Sequence, residues 1–85
     1  MARVFLPPRL RKLAGAESLD VAGGTVREVL TRLADDHPDL AEQLLSENQL
    51  APELQLSVAN VMTRKLTTPV EDHTEIHFLP AIGGG

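Results

Sequence analysis

The sequence predicts an α+β domain, in which a mixed sheet of four or five strands carries one main helix packed across one face. Three observations favour this architecture: segments in which polar and apolar residues alternate, one strongly amphipathic segment with capping signals, and strand-like segments on both sides of it. A helix with one apolar stripe needs one sheet face to cover it. A chain of 85 residues has room for one modest core.

Four segments are predicted as strands because they are β-prone or alternate with period two. They are residues 3–6, 17–21, 54–58 and 75–79. Pro7-Pro8 ends the first strand, because proline has no N–H to donate to a ladder, and Pro80 ends the last. Residues 46–52 are predicted as a loop. Residues 61–66 are ambiguous, and a short edge strand is one interpretation.

The main helix is the clearest predicted element, and it begins at Thr25. Thr25 and Glu28 form a capping box, in which two side chains satisfy free N–H groups of the first turn. Five apolar residues then fall on one helical stripe: Val26, Val29, Leu30, Leu33 and Ala34. Pro38 closes the helix, since the residue before a proline disfavours helical geometry. Residues 38–45 are predicted as a second short helix.

Strands before and after one helix predict the β-grasp, or ubiquitin-like, arrangement. Side chains alternate across a strand, so Val4, Ile76 and Phe78 are expected together under the helix. The same parity puts three residues on the open face that leads to the tail: Phe5, His77 and Leu79. Exposed apolar groups cluster at interfaces, so this open face is the predicted partner-docking surface.

Composition disfavours several functional classes. With 8 basic and 12 acidic residues the net charge is −4, so no nucleic-acid partner is expected. The absence of cysteine removes disulfides, thiolate metal sites and a cysteine nucleophile. No segment reaches the roughly 20 apolar residues of a membrane helix. The apolar run at residues 1–6 is too short for a signal peptide, so the cytoplasm, with no membrane partner, is expected.

The titratable residues do not form a catalytic constellation in the sequence. His73 and His77 are predicted on a turn and a strand, where they are too far apart to share a metal ion. The adjacent acids Asp35-Asp36 point apart and are interpreted as solubilising charge. No catalytic residue and no metal site are therefore expected.

The chain ends in Gly83-Gly84-Gly85, three residues after the last predicted strand. A frayed end and a chemical handle are both open interpretations. Glycine has no Cβ, so such a tail can thread a narrow channel and bring its carboxylate to another enzyme's active centre. At about 3.3 Å per residue the tail would reach about 15 Å from the sheet. We expect a single domain over residues 1–80 and a flexible tail over residues 81–85.

The end of the chain resembles the Leu-Pro-Pro-Val-Ala-Gly-Gly ending of the small sulfur-carrier proteins related to ubiquitin. Here it reads Phe78-Leu79-Pro80-Ala81-Ile82-Gly83-Gly84-Gly85. This MoaD/ThiS-like family includes the molybdopterin-synthase small subunit, the thiamine sulfur carrier and a cysteine-biosynthesis carrier. The Val4-Phe5-Leu6 strand and the Thr25-Val26 helix start also match. Residues 7–10 and 40–50 resemble the cysteine-biosynthesis carrier more than the thiamine carrier.

The resemblance implies a carrier that is not itself an enzyme. A ubiquitin-activating-type enzyme would use ATP to adenylate the Gly85 carboxylate, and a sulfur donor would convert it to a thiocarboxylate. The sulfur would pass to an acceptor synthase for cysteine, molybdopterin or another sulfur-containing metabolite. The carrier would bind no cofactor beyond this covalent sulfur. Gly83 and Gly84 would insert into the partner, and five residues would contact it: Phe5, His77, Leu79, Pro80 and Ile82.

Two other functions are compatible with the same sequence. The chain could be a protein modifier, joined through Gly85 to lysines of target proteins, because modification starts from the same adenylate. It could also be a non-catalytic β-grasp binding module whose glycines are incidental. Loss of Gly84 and Gly85 would leave the activity of such a module intact.

Overall fold

The computed structural model describes residues 1–80. These residues form three helices: Arg11–Ala14 (α1), Val26–Asp36 (α2) and Pro38–Leu44 (α3). They also form seven strands: Ala2–Phe5 (β1), Ser18–Val21 (β2), Leu45–Ser46 (β3), Gln49–Leu50 (β4), Leu54–Val58 (β5), Val61–Thr63 (β6) and Glu75–Pro80 (β7). A 3-10 turn at Pro8–Leu10 precedes α1. Within residues 1–80, no helix is both long and apolar enough to cross a bilayer.

Five of the strands form one mixed sheet in the order β2-β1-β7-β5-β6, and α2 packs across one face. β1 and β7 run parallel, whereas the other neighbours run antiparallel. The C-terminal ends of β1 and β7 therefore lie at the same end of the sheet as the start of β5. The architecture is the β-grasp that the order of predicted elements indicates.

The capping box at the start of α2 is present, with one difference. The Thr25 hydroxyl accepts a hydrogen bond from the Glu28 N–H at 3.2 Å, as predicted. The Glu28 carboxylate accepts one from the N–H of Gly24, at 2.9 Å, one residue before the cap. At the other end, the His37 N–H donates to the Leu33 carbonyl at 2.7 Å, and Pro38 begins α3.

The core lies between the sheet and the helices and is aliphatic apart from Phe78. Its largest fully buried side chains are Leu6, Leu30, Leu33, Leu40, Leu44, Leu56, Ile76, Val4, Val26 and Val29. The strand parity predicted from the sequence is confirmed, because Val4, Ile76 and Phe78 are all buried. The helical stripe is also confirmed, although Ala34 at its edge is only half-buried.

The predicted loop at residues 46–52 is wrong, because β3 and β4 form a small hairpin there. Glu47 and Asn48 make its turn with φ values of 53° and 63°, the left-handed pair of a type I′ turn. The usual signal for this turn is Asn-Gly or Asp-Gly, and the Glu-Asn pair lacks the glycine.

Several strand boundaries also differ from the predictions, and those of β1 and β2 differ by one residue: β1 covers Ala2–Phe5 and not residues 3–6, and β2 begins at Ser18 and not at residue 17. The ambiguous segment at residues 61–66 forms an edge strand of only three residues, β6. Pro80 was expected to end the last strand, yet it is the final paired residue of β7, opposite Leu54. A proline at the last position of a strand costs little, because few ladder bonds remain to be made there.

Candidate functional site: the open sheet face and the root of the tail

An aromatic pair lies at the centre of the open face. Phe5 of β1 and His77 of β7 are partners in the parallel register, and their rings stack with centroids 4.3 Å apart and planes 1° apart. The His77 Nε2 lies 3.2 Å from the Glu75 carboxylate on the same strand. The stack and the carboxylate together restrict the orientation of the imidazole ring.

Apolar side chains extend this pair in two directions. A row of paired residues crosses the whole sheet on this face: Met62, Ser57, His77, Phe5 and Ser18. Met62 is 49% exposed, and Leu79, two residues beyond His77, is 36% exposed. The face is therefore open to solvent at its apolar positions, which is where a protein partner gains most from contact.

Met62 also lies on the open face, and sequence reasoning missed it. Its side chain reaches the open face because Ala59 and Asn60 form a two-residue turn that pairs Met62 with Ser57. The φ values of this turn are 49° and 69°, again left-handed. Asn60 predicts a turn, but not its length, and a one-residue change in length would turn Met62 to the other side.

Charged residues occupy the end of the open face that is far from the tail. Arg3 lies between Asp20 and Glu75 in the sheet register, and its Nε donates to the Asp20 carboxylate at 3.3 Å. Nearby, Asp72 accepts a hydrogen bond from the N-terminal ammonium at 2.7 Å. That bond and the attraction between the two charges hold the pKa of Asp72 below its ordinary value. The open face thus runs from a charged end to an apolar end.

Pro80, the last residue of β7 and of the described chain, is exposed and pairs with Leu54, and we call it the tail root. The segment that carries Leu54 is held by Arg64, a contact that sequence reasoning also missed. The Arg64 guanidinium donates to the carbonyl oxygens of Leu54, Leu50 (3.4 Å) and Ala51 (3.5 Å). A planar guanidinium with five donors suits several carbonyls at once. The tail root, Pro80, is therefore paired with the start of a strand that Arg64 holds in place.

The remaining predicted site residues are Ile82, Gly83, Gly84 and Gly85, and they lie outside the described residues. Phe5, His77, Leu79 and Pro80 are all found on the open face or at the tail root. In the described part of the chain, no three acidic, histidine or cysteine side chains come together as a metal site. His73 lies in the turn before β7, where its backbone N–H donates a hydrogen bond to the Met1 carbonyl at 2.9 Å.

Comparisons with known proteins identify relatives of the same size. The ThiS family profile matches residues 4–85. A chain of the crystallised Amycolatopsis orientalis BexX/CysO complex is 27% identical, with a TM-score of 0.88 and coverage of 100% of both chains. Mycobacterium tuberculosis CysO, an antigen, is 25% identical, with a TM-score of 0.86 over 96% of this chain and 100% of its own. The small archaeal modifier protein 1 (SAMP1) of Methanosarcina acetivorans is 28% identical, with a TM-score of 0.82 over 99% of this chain and 95% of its own.

A search of curated protein sequences found no significant match. The family profile nevertheless covers both the sheet and the glycine-terminated end. The similar structures are matched over almost their whole length. The chain therefore belongs to the ThiS family, the ubiquitin-like β-grasp sulfur carriers that its glycine-terminated sequence resembles.

Proposed function

We propose that this chain carries sulfur as a thiocarboxylate on Gly85. The observation that carries the proposal is the ThiS family match, which runs through residue 85 and so includes the three final glycines. The chain is the protein co-substrate in this reaction and not an enzyme. It supplies a carboxylate and a docking surface, whereas the partner enzyme supplies ATP and the active site.

The proposed chemistry has two steps. A Gly85 carboxylate oxygen attacks the α-phosphorus of ATP, which forms an acyl adenylate and releases pyrophosphate. The sulfur of a sulfide donor then attacks the acyl carbon and expels AMP, which leaves the thiocarboxylate. If the donor is a persulfide, its attack gives an acyl disulfide, and a second thiol must reduce this to the thiocarboxylate.

The open face supports the proposal that the carrier supplies the docking surface and the partner enzyme supplies the active site. Its apolar end lies beside the tail root, so an enzyme that docks on Leu79 and the Phe5–His77 stack is already close to the tail. Holding two reactants in place removes much of the entropic barrier of a bimolecular step. The docking surface therefore contributes to the reaction rate without any acid or base of its own.

We propose cysteine biosynthesis as the destination of the sulfur. Support comes from the likeness to two CysO chains and from residues 7–10 and 40–50, which resemble the cysteine-biosynthesis carrier. Molybdopterin and other sulfur-containing metabolites are the alternatives. The acceptor synthase decides between them, so assaying the thiocarboxylate with each class of acceptor separates the destinations.

The proposal is tested by intact mass spectrometry. The protein is incubated with its cognate adenylating enzyme, ATP and sulfide, and a variant that lacks Gly85 is treated in the same way. We expect a mass gain equal to sulfur minus oxygen, confined to the C-terminal peptide and absent from the variant. If the wild-type chain shows neither this gain nor AMP release, the sulfur-carrier function is wrong.

A second candidate function is protein modification through Gly85. The specific observation in its favour is the 28% identity to SAMP1, a small archaeal modifier protein. A modifier would form adducts of higher mass with cellular proteins, and these would disappear when Gly85 is deleted. A binding module with incidental glycines would instead keep its activity without Gly84 and Gly85.

A further inference from the structure

A shallow pocket opens beside Pro80, the tail root. Its volume is about 500 Å³, and it is lined by Pro7, Pro8, Arg9, Glu53, Leu54 and Pro80. Four of these six residues are apolar. The two charged ones, Arg9 and Glu53, lie 3.9 Å apart and are both exposed, so they form a polar rim. We call this feature the tail-root pocket.

The parallel pairing of β1 and β7 creates the tail-root pocket. Both strands end at the same end of the sheet, so the chain that follows β1, at Pro7-Pro8, meets the last residue of β7, Pro80. Leu54, which begins β5, pairs with Pro80 and closes the floor. Three pyrrolidine rings fix their own backbone φ angles, so the wall of the pocket is rigid before any partner arrives. A preformed wall lowers the entropic cost of binding.

We propose that the tail-root pocket receives one large apolar side chain of the adenylating enzyme. The inference rests on the sulfur-carrier function proposed above. Five residues follow Pro80 and span at most about 18 Å, so an enzyme that holds Gly85 in its active site must cover the tail root. Leu54 and Pro80 share the strand parity of the buried residues Leu56 and Phe78, so the pocket lies at the end of the sheet and not on the open face itself. The short reach of the tail therefore assigns the occupant to the enzyme that holds Gly85.

The chemistry of the lining specifies the kind of side chain. An aliphatic or aromatic group buries apolar area against the prolines and Leu54 without leaving a polar group unpaired. The Arg9–Glu53 rim stays in water and offers one charge of each sign to polar groups around the anchor. Interfaces commonly combine a central apolar anchor with a polar rim, and the anchor carries most of the binding energy.

The test places a carboxylate on the pocket wall. Pro8→Glu does this at an exposed position at the start of the 3-10 turn, where the native residue donates no backbone hydrogen bond. Leu13→Glu is the matched control, because it makes the same neutral-to-acid change at an exposed apolar residue that does not line the pocket. Pro8→Ala removes part of the wall without adding charge. Thermal unfolding of each variant establishes that it is folded.

Adenylation of Gly85 is followed as pyrophosphate release at varied carrier concentration. We expect Pro8→Glu to lower kcat/KM about tenfold or more through KM, Pro8→Ala to lower it less, and Leu13→Glu to stay within about twofold of wild type. If Pro8→Glu does not fold, the proposal is tested by comparing kcat/KM of Pro8→Ala with that of the wild-type chain. Equal kcat/KM for the pocket variants and the control overturns the pocket proposal and leaves the carrier function standing. No adenylation of the wild-type chain overturns both.

Discussion

Neighbouring residues of β7 show how differently the two faces of the sheet are built. Ile76 and Phe78 are 0% and 3% exposed beneath α2, whereas Leu79, one position further, is 36% exposed. His77, between the two buried residues, stacks on Phe5 on the open side. Apolar area is withdrawn from water on the covered face and left available on the open face. The difference shows that strand parity buries one set of side chains in the core and leaves the other set exposed, and the exposed set is the proposed docking surface.

The largest effect is a difference in the free energy of unfolding between two variants, in which the neighbouring residues Phe78 and Leu79, on opposite faces of the sheet, are each replaced by alanine. Phe78→Ala should lower the free energy of unfolding by about 3–5 kcal/mol, because it leaves a cavity in the only aromatic part of the described core. Leu79→Ala should change it by about 0.5 kcal/mol or less, because that side chain is on the surface. Urea unfolding measures both values. Similar losses for the two variants would contradict the division between the faces.

The next effect concerns docking. Phe5→Asp and Leu79→Asp should each lower kcat/KM for adenylation by about a hundredfold, because a desolvated carboxylate replaces an apolar contact. The open face does not hold the core together, so circular dichroism should show that both variants remain folded. Gln43→Asp, an exposed position on α3, is the control. Adenylation kinetics that match the control would exclude the open face as the docking surface.

A smaller effect is expected at the helix that covers the sheet. Thr25→Ala removes the hydroxyl that accepts the Glu28 N–H, and it should lower the free energy of unfolding by about 1 kcal/mol. Because Thr25 lies on the covered side, kcat/KM for adenylation should not change below the melting temperature. Thr25→Ser retains the hydroxyl and should restore stability. A loss of adenylation in folded Thr25→Ala would assign docking to the helix side instead.

The smallest effect, of opposite sign, is expected at the turn that directs Met62 to the open face. Ala59 has a φ of 49°, a left-handed conformation that costs an alanine about 1–2 kcal/mol. Glycine adopts this conformation without steric strain, but it loses about 0.5–1 kcal/mol more conformational entropy on folding. Ala59→Gly should therefore raise the free energy of unfolding by about 0.5–1 kcal/mol. Differential scanning calorimetry should show a higher Tm. A lower Tm would indicate that the turn is not left-handed at Ala59.

The sequence predicts the two faces well because each depends on a regular period. The alternation in residues 75–79 and the stripe from Val26 to Leu33 place the buried and open positions correctly. Features that depend on pairing across the chain are not predicted. β6 is too short to show a period, the Glu47-Asn48 turn lacks glycine, and the contacts of Arg64 join segments 10–14 residues apart. The tail-root pocket likewise follows from the parallel register of β1 and β7.

The central claim is that the adenylating enzyme binds the open face and not the exposed surface of α2. Methyl cross-saturation in nuclear magnetic resonance tests it directly, because saturation passes from the enzyme only to methyl groups that it touches. We expect the Met62 and Leu79 methyl signals to lose intensity in the complex, while that of Thr31, exposed on α2, is retained. Loss at Thr31 with Met62 and Leu79 unaffected would contradict the claim.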